Sequence, residues 1–183
     1  MKLELAGKQA TEFTDEDSGK LGALREILGN AVSGGHRVLV FSQFVTMLGH
    51  IRRALEADGI TYEYLDGSTK DRMDRVERFN EDDSIGVFLI SLKAGGTGLN
   101  LVGADTVVHF DPWWNPAVED QASDRAHRIG QTRPVTVYRL VVADSVEEKI
   151  LELHERKRDL ADQLLASAGA SADLETLLGL LRD

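Results

Sequence analysis

Five short runs rich in β-branched and aromatic residues recur along the chain, each separated from the next by a segment of roughly helical length. They are HRVLVFS (36–42), ITYEYLD (60–66), IGVFLIS (85–91), ADTVVHF (104–110) and PVTVYRLVV (134–142). Strands that alternate with helices in this way return parallel to one another, and the intervening helices must cover the sheet. The spacing therefore predicts an α/β fold: three layers, a mostly parallel sheet, and helices on both faces. The run HRVLVFS reads as a buried parallel strand.

The helical segments carry their own punctuation. Leu21, Leu24, Ile27, Leu28 and Val32 form one stripe that stops at Ser33-Gly34-Gly35, and a second helix over 44–57 stops at Asp58-Gly59. Ser68 and Asp71 fit a capping box for a helix running to about Phe79, and Ser145 with Glu148 fits another for a helix running to about Ser167. Asn115-Pro116 supplies an N-cap and a first-turn proline. Residues 1–17 are polar and acidic without a sustained period and read as a loose lead-in. Residues 18–144 form the α/β unit, and 145–183 a helical appendage ending in a short amphipathic helix over 174–181, which packs back on the domain or on a partner lobe, or equally is an ordinary closing helix.

Composition narrows the function classes. The chain has 183 residues and no cysteine, which excludes disulfides and thiolate metal sites. No apolar run has membrane-spanning length, so the expectation is a soluble intracellular protein without a membrane partner. A net charge of −10 argues against general attraction to nucleic acid, so any polyanion must be met by local placement. Arginines do cluster, at 70–78 and at 125–139.

Sites in open parallel sheets lie beyond the carboxyl ends of the strands. The chemically distinctive residues fall there: Ser42-Gln43, Asp66-Gly67, the stretch from Ser91 to Asn100, and Trp113 to Pro116. Gly95, Gly96 and Gly98 follow a strand and permit close backbone approach to phosphate or sugar, with Lys93 and Asn100 flanking them. Taken alone such a turn serves connection as readily, and no Walker A sequence exists in the chain. Of the adjacent tryptophans, strand-like geometry turns one inward and the other outward, where a ring can stack on a nucleotide or merely cover the core. Gln121, Arg125 and Arg128 are spaced i, i+4, i+7 and share one helical stripe, beside an apolar stripe of Val118, Ala122, Ala126 and Ile129. On spacing alone this is equally a solvated helix. His109 reads as a satisfied core histidine. His127 lies on another face of the helix from the arginines, to touch phosphate or cap packing.

With these stretches assembled, the chain resembles the second RecA-like lobe (helicase C-terminal domain) of SWI/SNF-type, chromatin-remodeller-class DNA translocases of helicase superfamily two. VLVFSQF resembles motif IV, YLDGST motif IVa, SLKAGGTGLNL motif V, ADTVVHFDPWWNP motif Va and DQASDRAHRIGQ motif VI. The resemblance implies an ATP-dependent enzyme acting on double-stranded DNA. It implies that Arg125 and Arg128 act as arginine fingers on ATP, and that Gln121, Gly98 and Asn100 lie around the nucleotide. It further implies that Ser42, Gln43, Gly67, Ser68, Thr69, Ser91, Lys93, Gly95, Gly96, Trp114 and His127 lie toward DNA. ATP and Mg2+ would be held mainly by an N-terminal RecA-like lobe, whose Walker A lysine and acid pair this chain lacks. The chain would thus be half of an active site, inactive alone, with no metal ligands of its own. DNA-bound proteins are the implied substrates, and the cytoplasm and nucleoid, or the nucleus in a eukaryote, the implied location. The short segment before motif V suggests a compact, prokaryotic-like member. The rival expectation is a non-catalytic RecA-like module that docks DNA or protein.

Overall fold

The computed structural model describes residues 2–5, 9–12, 19–94, 98–127, 131 and 133–168. From Gly19 the chain runs α1 (Gly19–Ser33), β3 (Val38–Ser42), α2 (Val45–Ala57), β4 (Tyr62–Leu65), α3 (Arg72–Glu81), β5 (Val87–Ser91), β6 (Thr106–His109), α4 (Pro116–Ser123), β7 (Thr136–Arg139) and α5 (Val146–Ala168). Its five strands pair in the order β4-β5-β3-β6-β7, every pair parallel. The interior strands β3, β5 and β6 are buried along their whole length, whereas edge strand β4 alternates. This is what continuous apolar runs at the centre and YEYL at the edge require. Alternate side chains divide the core. Leu39, Phe41, Phe88, Ile90 and Val107 pack with Phe79 and Ala122 on the face covered by α3 and α4. Val38, Val40, Val87, Leu89 and Val108 pack with Leu24, Leu28, Leu48 and Ile51 on the face covered by α1 and α2.

The first two helices end by one device. In α1 the N–H of Gly35 donates to Val32 and that of His36 to Ala31; in α2 the N–H of Gly59 donates to Glu56 and that of Ile60 to Leu55. Both glycines have positive φ, 75° and 68°, the left-handed residue that this closing motif needs.

Three local expectations are corrected. The lead-in contains an antiparallel hairpin, β1 (Lys2–Leu5) with β2 (Gln9–Glu12), because strand pairing uses backbone groups and needs no apolar period. The capping box at Ser68 does not form. Asp66 instead accepts from the Ser68 N–H at 2.8 Å and the Ser68 hydroxyl at 2.7 Å, and Asp71, the residue before α3, makes no side-chain cap. A closer turn competes for the same hydroxyl. Finally, the helix opened by Asn115-Pro116 is short. After Ser123 the bonds tighten, Arg125 N–H to Ala122 and Ala126 N–H to Ser123, and the Arg125 carbonyl accepts from Leu101 at 3.0 Å. The residue 101 segment thereby takes the place of the next helical turn. The box at Ser145 forms in altered register: Ser145 Oγ accepts from the Glu147 N–H and Glu148 accepts from the Asp144 N–H. The expected helix over 174–181 lies outside the described residues.

Candidate functional site

Motif residues from distant parts of the sequence meet at the carboxyl edge of the sheet. Ser42 and Ser91 are register partners on adjacent strands, and the Leu92 N–H donates to the Ser42 carbonyl at 2.9 Å. Asp111, just past β6, accepts from the Ser42 hydroxyl and from the Gln43 N–H, both at 2.7 Å. Of two expected polyanion contacts, Ser42 is turned inward and Gln43 is half-buried. The Ser42 hydroxyl is buried and committed to a carboxylate, and Gln43 gives its backbone donor to the same group.

Behind Asp111 lies Lys20 of α1, whose ammonium meets Glu147 of α5 at 2.6 Å and lies 5.2 Å from the Phe110 ring centroid. Burial pushes the Asp111 carboxyl up, against the pull of the Gln43 and Ser42 donors and the Lys20 charge. Burial also lowers the Lys20 ammonium, opposed by Glu147. In both groups desolvation outweighs the hydrogen bonds and charges that favour the ionised form. In the turn after β4, Asp66 is held down to about 2 by the Ser68 hydroxyl, with Tyr64 and Thr69 adding donors. Gly67 and Ser68 are exposed there, with Thr69 half-buried.

The tryptophan pair divides as the alternation requires. Trp113 packs against the α3/α4-side core, and Trp114 is 59% exposed with its ring centroid 6.3 Å from that of Trp113. Lys93, Gly98, Gln121 and His127 are exposed. Arg125 is not: its side chain is 3% exposed, on a turn beyond α4, so the expected stripe of Gln121 and Arg125 on one helix is broken. Asn100 is exposed, its carbonyl accepting from Asn80 in α3 at 2.8 Å. Ser91 is buried at its strand end. Gly95, Gly96 and Arg128 lie outside the described residues.

Two residues that build the site were given no role by the sequence. Gln131, the last residue of motif VI, donates to the carbonyls of Ala104 at 2.6 Å and Val102 at 3.2 Å, tying that motif to the start of β6. Glu119, wholly buried in α4, accepts from the Trp113 N–H at 2.7 Å and from Arg139 of β7 at 2.8 Å. Their partners are far apart or lack a pattern. Only Glu119, a carboxylate beside the apolar stripe, hinted at a buried pair.

Comparison with known proteins decides the kinship. The model of the helicase conserved C-terminal domain matches residues 19–130. The chain belongs to that family. A helicase SWR1 of Cryptococcus neoformans is 45% identical over 175 residues, covering 94% of this chain and 14% of the relative. The Arabidopsis thaliana protein CHROMATIN REMODELING 19 is 48% identical over 158 residues, covering 85% of this chain and 21% of that protein. An uncharacterized ATP-dependent helicase of Mycoplasma pneumoniae is 41% identical over 152 residues, 82% of this chain and 15% of the relative. Among solved structures, the C-terminal part of the Fun30 ATPase domain superposes with a TM-score of 0.72 at 40% identity, covering 78% of this chain and 47% of that one. The fold is thus RecA-like, and the homologues are SNF2-family helicases and remodelling ATPases. The chain spans no more than about a fifth of the curated relatives' lengths. Among the described residues, no helix is long and apolar enough to cross a membrane.

Proposed function

We propose that this chain is the second motor lobe of an ATP-dependent double-stranded DNA translocase that acts on DNA-bound proteins, in the nucleus of a eukaryote or the nucleoid of a bacterium. The observation that carries the reading is the carboxyl edge itself, where motif IV, motif V and motif Va are bonded together through Ser42, Ser91 and Asp111, with Trp114 projecting beside them. Exposed Gly67, Ser68, Lys93 and Trp114, with Thr69, make up the DNA-facing set on this surface, and His127 is exposed beyond α4. Ser42, Gln43 and Ser91 shape that surface from beneath.

ATP supplies phosphoryl-transfer chemistry when bound, and the donor set here fits its phosphates: the guanidiniums of Arg125 and Arg128, with the Gln121 amide nearby in sequence. Planar, permanently charged donors stabilise charge that develops on phosphate oxygens. Among the described residues no group of three or more acids or histidines is gathered as a metal site, and the reading places Mg2+ elsewhere. We assign it to the N-terminal lobe. Because Arg125 starts buried, its delivery to nucleotide is coupled to a rearrangement of the turn after α4, in keeping with closure that gates chemistry.

The inward Arg125 is also what favours the rival reading, a non-catalytic module whose arginine serves only packing. Measuring DNA-stimulated ATP hydrolysis separates the two. The chain alone should be silent, and the same chain joined to an N-terminal lobe bearing Walker A and B sequences should turn over. Turnover by the chain alone, or silence of the joined protein on duplex DNA, overturns the proposal.

A further inference from the structure

Trp114 hangs from a backbone gripped on both sides by buried side chains of other elements. The N–H of Trp113 donates to Glu119 Oε1 at 2.7 Å, and Glu119 is itself held by Arg139 at 2.8 Å. The carbonyl of Trp113 accepts from His154 Nε2 of α5 at 2.5 Å, and His154 is 2% exposed. The first bond fixes the peptide plane before Trp113, and the second fixes the plane that carries Trp114. Beyond them, the Lys157 ammonium lies 5.6 Å from the Trp114 ring centroid, within cation–π range. His154 and Lys157 are three residues apart on α5, so one helix holds both the backbone and the ring.

The same helix is anchored elsewhere. Glu147, seven residues before His154 and on the same face, bonds Lys20 of α1 and accepts from the Val142 N–H at 3.0 Å. α5 is therefore docked in cis over its first three turns, against α1 at one point and the Trp113 turn at another. A loop tryptophan left unbraced must give up backbone and rotamer freedom when it binds, whereas one held in place beforehand does not.

We infer that the start of α5 is the positioning element for Trp114, with His154 acting through the Trp113 carbonyl and Lys157 on the ring. The consequence for affinity rests on the proposed DNA contact of Trp114; the positioning itself does not. His154 and Lys157 are positioning residues, and the grip on duplex DNA is set through the C-terminal helix.

The chain contains two tryptophans, so Trp113→Phe leaves Trp114 as the single reporter. In that background and without DNA, His154→Ala is expected to raise acrylamide quenching of Trp114 and lower its fluorescence anisotropy. His154→Gln, which keeps an N–H donor, is expected to restore both. Lys157→Met, at an exposed position that tolerates change, is expected to raise quenching with the circular dichroism spectrum unaltered. In duplex binding at fixed salt, Trp114→Ala should weaken affinity about tenfold, the scale of one lost aromatic–base contact. His154→Ala should weaken it in the wild-type background and add nothing to Trp114→Ala. Unchanged quenching in both His154→Ala and Lys157→Met overturns the inference. So does an equal loss of affinity from His154→Ala with and without the Trp114 ring, which marks a purely structural role. If Trp114→Ala leaves duplex affinity untouched, the DNA contact fails, and the DNA-free fluorescence still decides the positioning.

Discussion

His109 sits wholly buried in β6, stacked on Phe41 with ring centroids 5.6 Å apart, its Nε2 2.9 Å from the Ser123 hydroxyl. Burial pushes its imidazole down to about 4, with Arg139 lowering it further and Glu119 pulling the other way. In the unfolded chain the same ring titrates near its ordinary value of about 6.5. Between those values the unfolded state binds the extra proton, so stability is full above the unfolded pKa and is lost as pH falls toward the folded one. The loss at this one site is on the order of 3 kcal/mol. Urea unfolding at pH 7 and pH 4.5 should show that fall, and His109→Gln should remove most of it from the difference. An identical pH dependence in the variant would mean that His109 does not titrate on unfolding. Asp66 acts over a lower range. Held down to about 2 by Ser68 and its neighbours, it stabilises the fold above the ordinary carboxylate pKa and loses that effect as pH falls through 2.

At the scale of elements, helix ends are where local chemistry decides structure. Gly59 closes α2 at φ 68° with nothing within 4 Å of the position a Cβ would take, so only backbone conformation opposes a side chain there. Gly59→Ala should lower stability by about 1 kcal/mol in chemical denaturation, and Gly59→Asn by less. No change with alanine would refute the left-handed assignment. These ends were legible in the sequence because Ser33-Gly34-Gly35 and Asp58-Gly59 act through neighbours only. VLVFS was legible as a buried strand from its unbroken apolarity, and β3 lies at the centre of the sheet. The end of α4 was not legible. Its side-chain period continues past Ser123, but Leu101 and Gln131 reach the turn from outside and stop the helix. Nor were the braces of α5 legible. Lys20 and Glu147 are 127 residues apart and Trp113 and His154 are 41 apart, and such pairs leave no periodic trace.

Over the whole molecule, one parallel sheet separates two faces of helices and gathers Ser42, Ser91 and Asp111 of three motifs along a single edge. A net charge of −10 leaves any polyanion to be met by local placement and not by bulk attraction. The stretch from Trp113 to Arg125 would then join two ligands, with DNA at the exposed ring and nucleotide at the guanidinium. The path between them is short: Glu119 on the Trp113 backbone, α4, and the turn bonded to Leu101. On this account, closing the lobes draws Arg125 and Arg128 into the nucleotide site while Trp114 keeps hold of DNA. The measurement that bears on it most directly is DNA-stimulated kcat in the protein that joins this lobe to its N-terminal partner, comparing wild type with Arg128→Ala and Arg125→Ala. A fall of about 10³-fold or more in kcat, with duplex affinity and thermal stability of Arg128→Ala unchanged, is the expected result. Near-wild-type turnover in either variant would contradict the assignment of that arginine, and in both would contradict the shared active site.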